Sequence, residues 1–254
     1  MKVKTGNAWI GTSNVTVPGN KKTFPAEYRL FSRLVYYGSL FNSVEINKSF
    51  YKTPLFKTYC RWFSEVPVDF RFSIKLSRDI THAKQLIADL AKMGEFMEAA
   101  AGLGSKAGCI LVQFPGLINL DYYRHVEAIL KELKSQEICQ SWRIAVEFRN
   151  PGWYIAETWE LLNEYSAALV LHDIPKAKMM EVKGDADFVY IRLHGPKGDY
   201  RGSYTDQYLI KMAGEIHAWL TEGKDVYAYF NNTIGNAFAN ARTLKGLLEK
   251  VERR

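Results

Sequence analysis

Eight short segments between residues 8 and 232 alternate apolar and polar side chains with the two-residue period of a strand. In order they are AWIGTS (8–13), SVEINKSF (43–50), DFRFSIKL (69–76), AGCILVQF (107–114), RIAVEF (143–148), ALVLHD (168–173), FVYIRLHG (188–195) and DVYAYFNN (225–232). The parity is shared. Phe70, Phe72, Ile74 and Leu76 alternate with Arg71, Ser73 and Lys75, and Ile144, Val146 and Phe148 with Arg143, Ala145, Glu147 and Arg149. Val189, Ile191 and Leu193 alternate with Tyr190, Arg192 and His194, and Val226, Ala228 and Phe230 with Tyr227, Tyr229 and Asn231. One face is apolar and suited to packing under helices. The other turns polar toward the C-terminal end of each segment.

Most of the intervening stretches have helical period. Residues 26–41 place Leu30, Leu34 and Phe41 on one face, 85–101 place Leu86, Leu90, Met93 and Met97, and 121–134 place Val126, Ile129, Leu130 and Leu133. Ser203 followed by Asp206 resembles a capping box opening the helix of Leu209, Met212, Ile216 and Trp219. The connection 174–187 is too short and polar for a good helix. Eight strand–helix units in about 250 residues predict an α/β fold of the TIM (β/α)8 type, a closed parallel barrel with outer helices. The alternative, an open doubly wound sheet, would call for a GxGxxG or Walker-type phosphate loop, and the sequence has neither.

The chain has 254 residues, 47% hydrophobic and 24% charged, which excludes a disordered or collagen-like polymer. No Gly- or Pro-rich linker divides it, so a single domain over 1–254 is expected. No run approaches the roughly 18 apolar residues of a membrane span, and the N-terminus lacks a signal-peptide core, so a cytoplasmic protein is expected. Cys60, Cys109 and Cys139 are scattered, which fits reduced buried thiols better than a disulfide frame or zinc site. The net charge of +7 permits an anionic partner, but the basic clusters are only the Lys21-Lys22 and Arg253-Arg254 pairs.

The inward parity near the strand ends collects Glu45, Asn47, Lys75, Gln113, Glu147, Arg149, Asp173, Arg192, His194 and Asn231. The loops add Ser13, Thr81-His82, Tyr200 and Tyr204, the two tyrosines flanking a glycine in a predicted lid where they could stack on a ligand. In a closed barrel these converge on one mouth, where barrel enzymes place their chemistry. Each also has a purely structural reading, because three anions (Glu45, Glu147, Asp173) facing three cations (Lys75, Arg149, Arg192) could form a buried ion-pair lattice. At strand six Asp173 rather than His172 is assigned to the inward face. His82 suits a loop-fixing role, and Asn231-Asn232 could hold the turn before Gly235 as readily as bind substrate.

The motifs GTS (11–13), VEINKSFY (44–51) with Pro54, FRFSIK (70–75), TH (81–82), QFP (113–115) and EFRNPGW (147–153) run in order. Asp173, YIRLHG (190–195), Tyr200 with Tyr204, and YFNNT (229–233) complete them. Together they resemble the YecE-like family, the domain of unknown function 72, and the resemblance implies a TIM barrel without implying a reaction. The family pattern continues GTS with Gly-Trp, whereas this chain reads Asn14-Val15, so the first loop is expected to shape a different pocket or none.

The favoured reading is an enzyme acting on a small phosphate- or carboxylate-bearing molecule by acid–base chemistry, with no cofactor. Glu147 or His194 would move protons, with Asp173 orienting one of them and Glu45 in the same catalytic set. Arg149, Arg192 and Lys75 would clamp the anion, with Asn47, Gln113, His82, Tyr200, Tyr204 and Asn231 completing the substrate site. One alternative is a divalent-metal isomerase or phosphoesterase using Glu45, Glu147, Asp173 and His194, opposed by the interleaved cations. A second is a nucleic-acid- or partner-binding barrel without catalysis, opposed by the lack of a basic run with interleaved aromatics.

Overall fold

Strand faces rich in Val, Ile and Phe must be covered on one side by helices, and a parallel sheet is covered by the crossovers that connect it. The computed structural model describes residues 5–252 and shows that arrangement. Its strands are β1 (Ala8–Thr12), β2 (Ser43–Ile46), β3 (Arg71–Lys75), β4 (Ala107–Phe114), β5 (Arg143–Phe148), β6 (Ala167–His172), β7 (Phe188–Leu193) and β8 (Asp225–Phe230). All pair in parallel, in the order β1-β8-β7-β6-β5-β4-β3-β2. The helices are α1 (Arg33–Gly38), α2 (Lys48–Tyr51), α3 (Phe56–Glu65), α4 (Arg78–Thr81) and α5 (Ala91–Ala100), then α6 (Tyr123–Ser135), α7 (Ala156–Glu164), α8 (Asp206–Thr221) and α9 (Ala237–Glu252). Residues 174–187 contain one 3-10 turn, Pro175–Ala177, and no α-helix. No helix is long and apolar enough to cross a membrane among the described residues.

The strand parity is the one read from the sequence. Ile144, Val146, Phe148, Val189, Ile191 and Leu193 are buried in one core with helix residues such as Leu161, Ile216 and Leu244. Cys109, Leu111, Ala145, Val170, Tyr190 and Tyr229 form a separate cluster inside the barrel. Cys60 and Cys109 are free thiols, Cys60 only partly buried. The side chain of Cys139 and the Arg253-Arg254 pair lie outside the described residues.

The hoop closes between β1 and β2 by side chains, around the single backbone bridge Ser13–Glu45. Asn42 accepts from Ile10 N at 3.0 Å and donates to Ala8 O at 2.8 Å. The Tyr37 hydroxyl accepts from Thr12 N at 2.8 Å and donates to Ser43 O at 3.0 Å. A Cβ on Gly11 would lie 2.0 Å from Ser43 O, so this approach admits glycine alone.

Three local expectations are corrected. In 26–41 a 3-10 turn, Ala26–Tyr28, precedes the short α1, which starts only at Arg33 because Ser32 caps it through Val35 N, and Leu30 lies ahead of the cap, 93% exposed. In 85–101 the left-handed φ of Gln85 and Leu86 delays α5 to Ala91. Helix α8 is capped by Thr205, whose hydroxyl accepts from Tyr208 N, while Ser203 accepts from Asn240 Nδ2.

Candidate active site

Arg192, on the inward parity of β7, is 2% exposed, and a guanidinium so deeply buried needs carboxylates. It has two. Its Nε and Nη2 donate to the two oxygens of Glu45, both at 2.9 Å, and its Nη1 donates to Glu147 Oε2 at 2.7 Å. Glu45 also accepts from Ser13 Oγ at 2.7 Å, Tyr190 OH at 2.8 Å and Asn47 Nδ2 at 3.1 Å. The other oxygen of Glu147 accepts from Arg149 Nε. Burial alone would raise both carboxylate pKa values. It is outweighed only by several effects together, the charge of Arg192 with hydrogen bonds from Arg192, Ser13 and Tyr190 at Glu45, and the charges of Arg192 and Arg149 at Glu147, which hold Glu45 below and Glu147 well below the ordinary value.

From Arg149 the network runs on to His194, whose Nε2 faces Arg149 Nη2 at 3.3 Å. Since a guanidinium only donates, Nε2 is the accepting nitrogen and Nδ1 carries the proton toward Asp173 Oδ1, 3.3 Å away. Asp173 also accepts from His194 N at 2.7 Å and from the Tyr204 hydroxyl. Burial lowers the His194 pKa, with the Asp173 hydrogen bond opposing, so the ring is neutral.

Above this layer opens a cavity of about 300 Å³. Of the residues singled out by sequence, Asn47, Lys75, Gln113, Arg149, Arg192, Tyr200 and Asn231 line it. Glu45, Glu147, His194, Asp173 and Tyr204 stand behind its wall, drawn down to their partners. Lys75 donates to Gln113 Oε1 at 2.7 Å and lies 4.0 Å from the centre of the Phe50 ring. Burial, reinforced by Arg192 and only partly offset by Glu147 and Glu45, brings its pKa down to about 8. His82 caps the end of α4, packs on Phe50 and pairs with Thr81 Oγ1. Burial, with the charges of Lys75, Arg78 and Arg149, brings it down to about 4.

Several sequence assignments change. Asp173 pairs with His194 and Tyr204 instead of an arginine, and Lys75 pairs with an amide instead of a carboxylate. His172, on the face of Ala168 and Val170, takes the inward parity, while Asp173 reaches His194 from beyond the strand end. Tyr204 is 6% exposed and stacked on Tyr208, unable to stack on a ligand. The expected lid is pinned, with Tyr200 N donating to His194 O at 2.7 Å and Tyr200 O accepting from Ile234 N at 3.1 Å. Asn231 lines the cavity, whereas Asn232 holds the turn through Gly202 O and Asn240. The far end of the barrel carries Arg143 paired with Asp187 and Asp225.

Four contributors were missed. Tyr190 shares the parity of Arg192 and was legible from it. Phe50 and Tyr51 come from α2, where the strand was expected to continue through Phe50. Asn14, at φ 58°, accepts from Asn47 N at 3.1 Å and brings an amide to the mouth where the family pattern has glycine.

Both oxygens of Glu45 and of Glu147 are engaged by guanidiniums, and no group of three His, Cys, Asp or Glu side chains able to hold a metal occurs among the described residues.

Residues 9–254 match the family described as protein of unknown function DUF72. A DUF72 family protein of Enterococcus faecalis has a similar structure, with a TM-score of 0.76 at 21% identity over 95% of each chain. One of Thermotoga maritima gives 0.71 at 23% identity over 96% of this chain and 99% of its own. The structure of SacUVDE is a more distant likeness, with a TM-score of 0.55 at 8% identity over 98% of this chain and all of its own. Among curated proteins none matches.

Proposed function

Since the chain belongs to the DUF72 family, whose fold supports many chemistries, its function must be argued from the mouth itself, and we propose an enzyme that holds a small phosphate- or carboxylate-bearing substrate there and works on it by acid–base chemistry. The supporting observation is the charge of the cavity lining. Its arginine and lysine side chains (Lys75, Arg149, Arg192) face it without an acidic residue among the lining groups. The carboxylates lie beneath and leave N–H groups over. Arg192 engages three of a guanidinium's five donors, and Arg149 has only Glu147 and His194 as partners among the described residues. A bound oxyanion completes those forks in bidentate geometry.

The roles follow the geometry. Lys75, near 8, is the lining group best matched to proton transfer close to neutral pH. Glu45, Glu147, His194 and Asp173 are positioning residues that fix the guanidiniums. The buried Oδ1 of Asn47 has no partner and suits a substrate hydroxyl or N–H donor.

Calorimetric titration with inorganic phosphate and with malonate tests this reading. Saturable binding is expected, weakened in Arg149→Ala by roughly 1.5–3 kcal/mol, the range for hydrogen bonds to charged groups. No binding, or binding unchanged in both Arg149→Ala and Arg192→Ala, overturns it.

A further inference from the structure

Lys106 is buried and Lys75 half-buried, and their surroundings differ. Lys106 is 5% exposed, and its Nζ donates to the carbonyl oxygens of Phe63 at 2.5 Å and Val66 at 2.6 Å, closing the end of α3. That ammonium is a structural plug. Lys75 has one hydrogen-bond acceptor, the neutral amide oxygen of Gln113, and an aromatic face at Phe50. No carboxylate pairs with it among the described residues. It is also the one lysine lining the mouth cavity.

The charged groups around it come from every neighbouring element. Arg192 on β7 and Arg149 after β5 oppose its protonation, Glu147 on β5 and Glu45 on β2 favour it, and His82 at the end of α4 stands nearby. Both carboxylates are already neutralised by guanidiniums, so their support is weak.

We propose that Lys75 is a nucleophile whose ε-amine condenses with the carbonyl carbon of a small anionic aldehyde or ketone held at the mouth. This rests on the anion-binding reading and adds a substrate class to it. The Nζ lone pair forms a C–N bond to the carbonyl carbon while the C=O π pair moves to oxygen. A proton passes from nitrogen to that oxygen, giving a carbinolamine. The nitrogen lone pair then expels the hydroxyl, which leaves with a second proton as water, and a C=N bond forms. Hydrolysis reverses the sequence, and no oxidant or reductant takes part. A lysine with its pKa lowered by burial and by neighbouring cations is half neutral near pH 8, which activates it for such addition. Gln113 holds one N–H and so orients the lone pair, while Arg149 and Arg192 receive the anionic end.

The test is reductive trapping with glyoxylate and cyanoborohydride at pH 7.5, followed by peptide mapping of the unmodified chain. Carboxymethylation at Lys75 is expected to run roughly tenfold or more ahead of the exposed lysines, because an amine brought down to about 8 is in good part neutral at this pH. Inorganic phosphate should slow it, and in Lys75→Met, with its thermal midpoint checked, no other site should take over. Modification of Lys75 no faster than that of the exposed lysines overturns the proposal while phosphate titration still judges the anion site. Fast labelling that phosphate fails to slow, with no phosphate binding by calorimetry, upholds the amine chemistry and removes the anion site.

Discussion

Arg192 grips Glu45 through two parallel N–H···O bonds of 2.9 Å each, with the guanidinium 2% exposed and the carboxylate fully buried. The third arm of Arg192 reaches Glu147, so one cation satisfies two buried anions. Arg192→Met leaves Glu45 without its main partner in a low-dielectric interior. Urea unfolding should show a loss of about 3–5 kcal/mol, as when one member of a buried pair is removed. The double variant Arg192→Met, Glu45→Gln should recover part of that loss.

Below pH 6.5 the pH dependence of stability should have two limbs, both falling toward acid. His172 is brought down to about 4 by burial, below its ordinary 6.5, so from 6.5 to 4 the unfolded chain takes up a proton that the folded chain refuses. Stability is full above 6.5 and declines as pH falls through that window. His194 and His82 act in the same direction. Glu45 and Glu147, held below 4.5, add a second decline under 4.5. Urea midpoints across pH should trace both limbs, and His172→Gln should flatten the first. A midpoint that holds level from 6.5 to 4.5 would remove this assignment.

Asn14 sits at φ 58°, where asparagine is tolerated and a Cβ-bearing apolar residue is strained. Asn14→Ala should therefore cost about 1 kcal/mol more than Asn14→Gly in thermal unfolding, although both lose the bond from Asn47 N. Equal costs would show that the side chain, and not the backbone conformation, decides this position.

Gly11→Ala would drive a methyl group into the Ser43 carbonyl and part β1 from β2. Destabilisation of roughly 3 kcal/mol or more is expected, the upper end for overpacking, because the obstacle is backbone. Amide exchange should quicken at Ile10 and Thr12, whose N–H groups are held across the seam.

The barrel was legible because a two-residue period repeated eight times leaves few ways to bury its apolar face. The set of residues gathered at the mouth was legible for the same reason, through the shared parity of Glu147, Arg149, Arg192 and Asn231. Parity says which way a side chain leaves the strand and nothing about which neighbour captures it. Glu147 and His194 were read as groups facing substrate, yet the buried guanidiniums and Asp173 hold them below the cavity floor. Lys75, expected in the anion clamp, does line the cavity, whereas the ion-pair lattice that would also have held it is absent at this residue, its acceptor being an amide. Phe50, Tyr51 and Asn14 escaped because they follow the strands, where helix α2 and a left-handed residue break the period.

The hydrogen bonds behind the cavity form one unbroken chain, from Tyr204 through Asp173, His194, Arg149, Glu147 and Arg192 to Glu45. Each link is matched in charge or donor sense to the next, and linked groups of this kind do not contribute independently. A substitution at one link therefore leaves a misfit at its neighbour, which, except between Glu147 and Arg149, lies on another element far away in the chain. Tyr204, in the connection after β7, is in this way tied energetically to Glu45 on β2, although the two share no bond.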